Sequence, residues 1–311
     1  MQLRGVLFFP VTPFASDGAL DLDAFEHHFE RGLKAGPGAA FVACGTGEFH
    51  ALSADEHREV VKRAVDVAAG RLPVFAGCGG PLGHALAVAR RAQAEGVAGL
   101  LVLPPYLAMG PQRGLVNYMR AIADAVSLPL VAYSRGNAVF APEAARELAT
   151  IPGVIGLKDG HGDLELLERT MAAVREVSNG FLYFNGLPTA EAFMPEYRRL
   201  GVDLYSSATF AFAPEIALGF YEALTCDDHA RVELYLDTFY RPLVALRDTV
   251  EGYAIALIKA GAELRGEKVG PVRPPLVDVT REHRAVLQTL LAAGLELSSG
   301  AGHLAAEASA R

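Results

Sequence analysis

Short apolar runs alternate along the chain with longer stretches in which apolar residues recur at helical spacing. The runs occupy residues 5–11, 39–44, 72–78, 98–103, 128–133, 154–158, 181–185 and 203–207. Each is bounded by turn-forming residues, the pattern of a buried parallel strand. Between the first two, Leu22, Phe25, Phe29 and Leu33 repeat as one face of a helix does. Helix-start chemistry recurs in the same intervals. Ser53 with Glu56 forms a capping box, Asp163 suits an N-cap, and Pro111, Pro142 and Pro214 suit first turns. A strand signal followed by a helix signal, repeated eight times, predicts an α/β fold: a (β/α)8 TIM barrel over residues 1–226. An open doubly wound sheet would need a glycine fingerprint that the first turn lacks. Strand signals then stop. Residues 227–247, 250–264 and 280–297 read as helices around a Gly-Pro-rich segment at 266–275, a C-terminal helical extension over 227–298. The Ala/Gly/Ser-rich end, 299–311, is expected to be disordered.

Composition narrows the function classes. The 311 residues carry a formal net charge of −8 with no basic run, which argues against nucleic acid or an anionic membrane as partner. The opening apolar run is broken by Pro10 and Pro13, too short for a signal segment or a membrane span. Cys44, Cys78 and Cys226 are odd in number and widely spaced. They read as reduced thiols filling structure in a cytoplasmic protein, with no disulfide or zinc framework.

In a barrel the carboxyl ends of all strands meet on one face, so their residues form one set. Lys158 stands there within Val154-Ile155-Gly156-Leu157-Lys158-Asp159-Gly160. An ammonium is costly to bury, and a desolvated lysine amine can attack a ketone to form a Schiff base. The competing reading is a snorkelling lysine paired with Asp159. The first strand brings Pro10 and Thr12, and the second brings Gly45-Thr46-Gly47-Glu48, whose glycines let backbone N–H groups approach a carboxylate. Tyr133 on the fifth strand is placed to shuttle protons at an amine one strand away. The seventh and eighth strands add Asn185-Gly186 and Ser206-Ser207. Glu48 reads as a group orienting the glycine turn, and His50 and His161 as solvent-facing. No metal or organic cofactor is expected, because the lysine itself supplies the electrophilic chemistry.

The motifs Pro10-Val11-Thr12-Pro13-Phe14, Gly45-Thr46-Gly47-Glu48, Tyr133 and Gly156-Leu157-Lys158-Asp159 stand in the order and spacing of a known family. Over residues 3–298 the chain resembles the class I, Schiff-base-forming family of dihydrodipicolinate synthase and N-acetylneuraminate lyase. The resemblance implies that Lys158 is the Schiff-base lysine, that Tyr133 shuttles protons, and that Thr46, Gly47 and nearby backbone hold the carboxylate beside the ketone. It also implies a homotetramer.

Departures from the synthase pattern select a branch. Gly45 replaces a threonine, Tyr106-Leu107 replaces paired tyrosines, and Ala138 stands where the synthases carry an arginine. The set Tyr133-Ser134-Arg135-Gly136-Asn137, Asn185-Gly186-Leu187-Pro188-Thr189 and Tyr205-Ser206-Ser207-Ala208 is similar to the 5-dehydro-4-deoxyglucarate dehydratase branch, apart from Ser134 and Gly136. That branch converts a sugar-acid substrate to 2,5-dioxopentanoate, water and carbon dioxide. Arg135, Asn185, Ser206 and Ser207 would serve the distal carboxylate and hydroxyls. No residue pattern accounts for the decarboxylation step. A pyruvate-dependent aldolase of the same family is the second reading, and a non-catalytic sugar-acid-binding barrel the third.

Overall fold

The computed structural model describes residues 3–309, with side chains described through residue 300. All eight apolar runs form strands: β1 (Leu7–Phe8), β2 (Ala39–Val42), β3 (Val74–Cys78), β4 (Gly99–Val102), β5 (Leu130–Ser134), β6 (Val154–Asp159), β7 (Leu182–Asn185) and β8 (Leu204–Ser207). They pair in parallel in chain order, and β8 closes on β1 through Leu7–Ser206 and Phe8–Ser207. The barrel is thus a closed (β/α)8 fold. β1 is much shorter than its apolar run. Gly5 takes a left-handed φ of 75° before it, and Pro10 follows without an N–H for a ladder.

Helices α1 (Leu22–Lys34), α2 (Ala54–Ala68), α3 (Leu82–Ala94), α4 (Gln112–Ala123), α5 (Pro142–Leu148), α6 (Leu164–Arg175), α7 (Met194–Arg199) and α8 (Pro214–Thr225) follow the strands in turn. The capping box of Ser53 and Glu56 forms in both directions, and Asp163 accepts the Leu166 N–H at 2.9 Å. Pro142 and Pro214 occupy first turns, whereas Pro111 sits one residue earlier, at the N-cap.

Strand alternation sorts the side chains into two apolar layers. Phe8 faces outward against Phe29 of α1, while Leu7 and Phe9 face inward. Inside, Phe41 stacks on Phe9 and Phe75 with ring centroids 4.8 and 4.7 Å apart, and Phe184 meets it edge-on. This aromatic plug fills the barrel beneath its carboxyl-end mouth. The lumen is therefore a packed core, with space for chemistry only at the rim.

The extension is helical as expected. α9 (His229–Tyr235) runs through a π-helical turn, Leu236–Tyr240, into α10 (Arg241–Arg247); α11 (Tyr253–Leu264) and α12 (Arg281–Ser309) follow. From residue 301 on, the tail expected to be disordered lies outside the residues whose side chains are described. No helix among the described residues is long and apolar enough to cross a membrane.

Candidate active site

The β5–β6 register sets Tyr133 beside Lys158 and Ser134 beside Asp159. Alternation then turns the first pair into the mouth and the second pair outward. Lys158 is 4% exposed, and its Nζ lies 4.1 Å from the centre of the Tyr133 ring and 4.7 Å from that of Phe9. It has no contact with the Asp159 carboxylate. Asp159 instead accepts the backbone N–H groups of His161 (3.0 Å) and Gly162 (3.3 Å) and the Tyr197 hydroxyl (2.5 Å). The reading of Lys158 as one half of a snorkelling ion pair gives way for that reason.

Two glycines make room for this pair. A Cβ on Gly186 would stand 2.6 Å from Lys158 Cγ and 2.8 Å from the Asp159 carbonyl oxygen, and one on Gly160 would press on the Tyr133 ring at 2.7 Å. The Tyr133 hydroxyl donates to the Gly186 carbonyl at 2.8 Å and accepts from Arg135 Nη1 at 3.2 Å. Burial alone would raise the phenol's pKa, but the charges of Lys158 and Arg135 outweigh it and hold Tyr133 below its ordinary value.

A cavity of about 440 Å³ opens over Lys158. Of the residues expected at the rim, Gly45, Thr46, Tyr133, Arg135, Lys158, Gly186 and Ser206 line it. Pro10, Thr12, Gly47, Asn185 and Ser207 do not. Thr12 is fully buried and donates to the Gly47 carbonyl at 2.7 Å, bracing the turn from behind. Asn185 and Ser207 fall on the outward side of their strands. Asn185 Nδ2 donates to the Ala190 carbonyl (3.0 Å), and Ser207 Oγ donates to Glu191 (2.5 Å) while accepting the Phe210 N–H (3.0 Å). These two residues tie loops together and do not face the cavity.

The departures at Ser134 and Gly136 also acquire a local reason. Ser134 faces outward and accepts the Phe140 N–H at 3.2 Å, and Gly136 holds a φ of 59° in the tight turn that bridges Arg135 to Ala138. Asn137 then ties that turn to the β4 loop through the Pro105 and Ala108 carbonyls.

Several lining residues escaped the sequence reading. Phe9 was legible from its alternation with Leu7. The contribution of the extension was not: Arg247 on α10 and Ile255 and Ile258 on α11 form part of the wall. Arg247 donates to the Pro188 carbonyl (2.6 Å) and pairs with Asp248 (2.7 Å), fastening the β7 loop to the extension. His50 is exposed at the cavity edge, and His161 is exposed beside β6. Burial pushes the thiols of Cys44 and Cys78 up to about 12, so both are held as neutral filler, while Cys226 is exposed. Among the described residues no three His, Cys, Asp or Glu side chains form a metal-ligand group.

Comparison with known proteins gives one consistent picture. The profile of the dihydrodipicolinate synthetase family matches residues 2–294. A probable 5-dehydro-4-deoxyglucarate dehydratase of Streptomyces griseus is 53% identical over 95% of this chain and 93% of its own. A protein of the same description from Pseudomonas savastanoi pv. phaseolicola is 40% identical over 92% of this chain and 94% of its own. Among solved structures, a prophage protein of the dihydrodipicolinic acid synthase family from E. coli K12, in complex with pyruvate, superposes with a TM-score of 0.84 at 26% identity, covering 94% of this chain and 98% of that one. Dihydrodipicolinate synthase from Bacillus clausii gives 0.86 at 25% identity, over 93% and 97%. With its fold, its motifs and a matching profile over nearly its whole length, the chain belongs to the dihydrodipicolinate synthetase family.

Proposed function

We propose that the chain is a decarboxylating 5-dehydro-4-deoxyglucarate dehydratase that works through a Schiff base at Lys158. The observation that carries this reading is a buried amine at the mouth of the barrel, packed against a tyrosine whose hydroxyl is fixed by two partners. The substrate is taken from the relatives at about half identity, all described as probable dehydratases of this sugar acid.

In this reading the Lys158 amine adds to the C5 carbonyl carbon, and the carbinolamine loses water to give an iminium. The iminium draws electrons from the neighbouring C4–H bond. As a base removes that proton, the electron pair forms a double bond and expels the C3 hydroxyl, which leaves as water after taking up a proton. Tyr133 is the group in reach for both transfers, and the cations that lower its pKa let it release a proton more readily than a free phenol. Backbone N–H groups of the Gly45–Thr46 turn hold the carboxylate beside the ketone. Arg135 and Ser206 serve the distal end of the acid. No cofactor takes part in these steps. A homotetramer in the cytoplasm completes the reading. Leu107 and Met109, exposed on the β4 loop, are apolar side chains that such an assembly would cover.

Product analysis tests the assignment. Enzyme incubated with 5-dehydro-4-deoxyglucarate and followed by NMR is expected to yield 2,5-dioxopentanoate and carbon dioxide. Pyruvate with an aldehyde fragment, and no carbon dioxide, would make the chain an aldolase of the same family.

A further inference from the structure

Immediately after the Gly45–Thr46–Gly47 turn the chain places Glu48 in a left-handed conformation, φ 55°, which a residue with a Cβ adopts only at a cost. Its N–H closes the turn onto the Gly45 carbonyl at 3.1 Å. The side chain points away from the cavity and is wholly buried. Oε1 lies 2.7 Å from Nζ of Lys259 on α11, itself 2% exposed, and Oε2 accepts the backbone N–H of Arg273 at 2.8 Å. Lys259 also donates to the Pro271 carbonyl at 2.7 Å and lies over the Phe14 ring at 4.3 Å. Beside it the Arg273 guanidinium covers the same ring at 4.0 Å and donates to the Gly18 and Ala51 carbonyls and to Glu56.

The Glu48 backbone therefore holds the glycine turn while its side chain runs to the extension. Burying both an ammonium and a carboxylate is a poor route to stability, since an apolar pair of the same volume commonly does as well. What an ion pair supplies and an apolar pair does not is an attraction between two particular ends, held here at 2.7 Å. Here it joins α11, which walls the cavity, to the turn whose Gly45 and Thr46 line the same cavity.

We infer that Glu48 and Lys259 are positioning residues: their buried ion pair makes the C-terminal extension set the geometry of the turn that receives the carboxylate of a 2-oxo acid. The inference rests on the reading of that turn given under Proposed function. Neither side chain touches the ligand, and the pair acts through the Gly45 and Thr46 backbone. Removing it leaves Lys158 and Tyr133 in place but lets the turn drift from the carboxylate. The loss falls on affinity and KM more than on kcat.

The test uses the full-length enzyme with Lys259→Met, Glu48→Gln and the double variant, which strands no buried charge and so keeps folding separate from positioning. Calorimetric titration with pyruvate is expected to show affinity weakened by about tenfold or more in the double variant, with a melting temperature close to the parent's. KM should rise in proportion. Lys259→Arg, which keeps the charge, should regain part of the affinity. A folded double variant that binds pyruvate within about twofold of the parent overturns the inference. A double variant that does not fold overturns it as well, because the pair would then be a stability element. Borohydride labelling of the parent with pyruvate keeps the two readings apart. An unlabelled parent removes the Schiff base, while the affinity comparison still decides the role of the pair.

Discussion

Replacing Glu191 by glutamine is expected to flatten the dependence of stability on pH. Glu191 lies in the short helical turn after β7, entirely buried, and its carboxylate accepts the Ser207 hydroxyl. The second carboxylate oxygen has none among the described residues, and the buried hydroxyls of Tyr205 and Tyr240 are likewise unpaired. Among the described residues no cation lowers it, so burial pushes its carboxyl up to about 7, the hydrogen bonds from Ser207 and from its own backbone opposing only in part. The unfolded chain loses this proton near 4.5. The folded state thus holds the proton more tightly. The full stability is present below the unfolded value and is lost as pH rises through the window up to about 7. At about 1.4 kcal/mol per tenfold, the folded state loses roughly 2–3 kcal/mol between pH 5 and pH 8 on this account. Glutamine has nearly the same shape, keeps an oxygen for Ser207, and does not titrate. Equilibrium urea unfolding of parent and Glu191→Gln, at one protein concentration and at both pH values, should show the variant gaining about 2 kcal/mol relative to the parent on going to pH 8. Parallel pH profiles, agreeing to within about 0.5 kcal/mol, would refute a neutral buried acid.

Other substitutions probe the mouth of the barrel. Tyr133→Phe keeps the ring that packs on Lys158 but removes the hydroxyl, and turnover should fall by roughly 10²–10⁴-fold while the fold survives. A rate within about twofold of the parent would return Tyr133 to the core. Gly186→Ala forces a methyl group against the Lys158 stem and the Asp159 carbonyl. It should cost about 1–3 kcal/mol of stability and most of the activity, and a fully active variant would show that Lys158 needs no such space. Arg135→Ala removes the donor to the Tyr133 hydroxyl and a cavity cation together. Its kcat/KM should drop by the equivalent of about 1.5–3 kcal/mol, and the limb of its pH–rate profile that reports Tyr133 should move upward as Tyr133 loses one of the charges that lower it.

The barrel was legible in the chain because both of its signals are local. A buried parallel strand needs a continuous apolar run, and Val154 to Lys158 has one; the following helix needs a cap, and Asp163 supplies it. Lys158, Tyr133 and the glycine turn were equally legible, because the fold gathers every strand end on one face. Which side of a strand end a residue takes was harder. Asn185 and Ser207 sit one position away from the inward-facing Phe184 and Ser206, and a shift of one position reverses the face. Contacts distant in sequence were not legible at all. Nothing near Glu48 points to Lys259 or Arg273, and nothing in 227–264 marks Arg247 and Ile255 as cavity wall, because helical spacing gives a face but not what it packs against. The buried acid Glu191 escaped for the same reason: the burial that raises its pKa exists only once the closed barrel and the extension pack around it.

The central claim is a covalent bond to one named amine. Parent enzyme treated with borohydride in the presence of 5-dehydro-4-deoxyglucarate or pyruvate, digested and mapped by mass spectrometry, is predicted to carry a reduced adduct on the peptide containing Lys158. Lys158→Ala, still folded by circular dichroism, is predicted to show neither adduct nor turnover. An active parent enzyme with an unmodified Lys158, or an adduct on another lysine, would contradict the account.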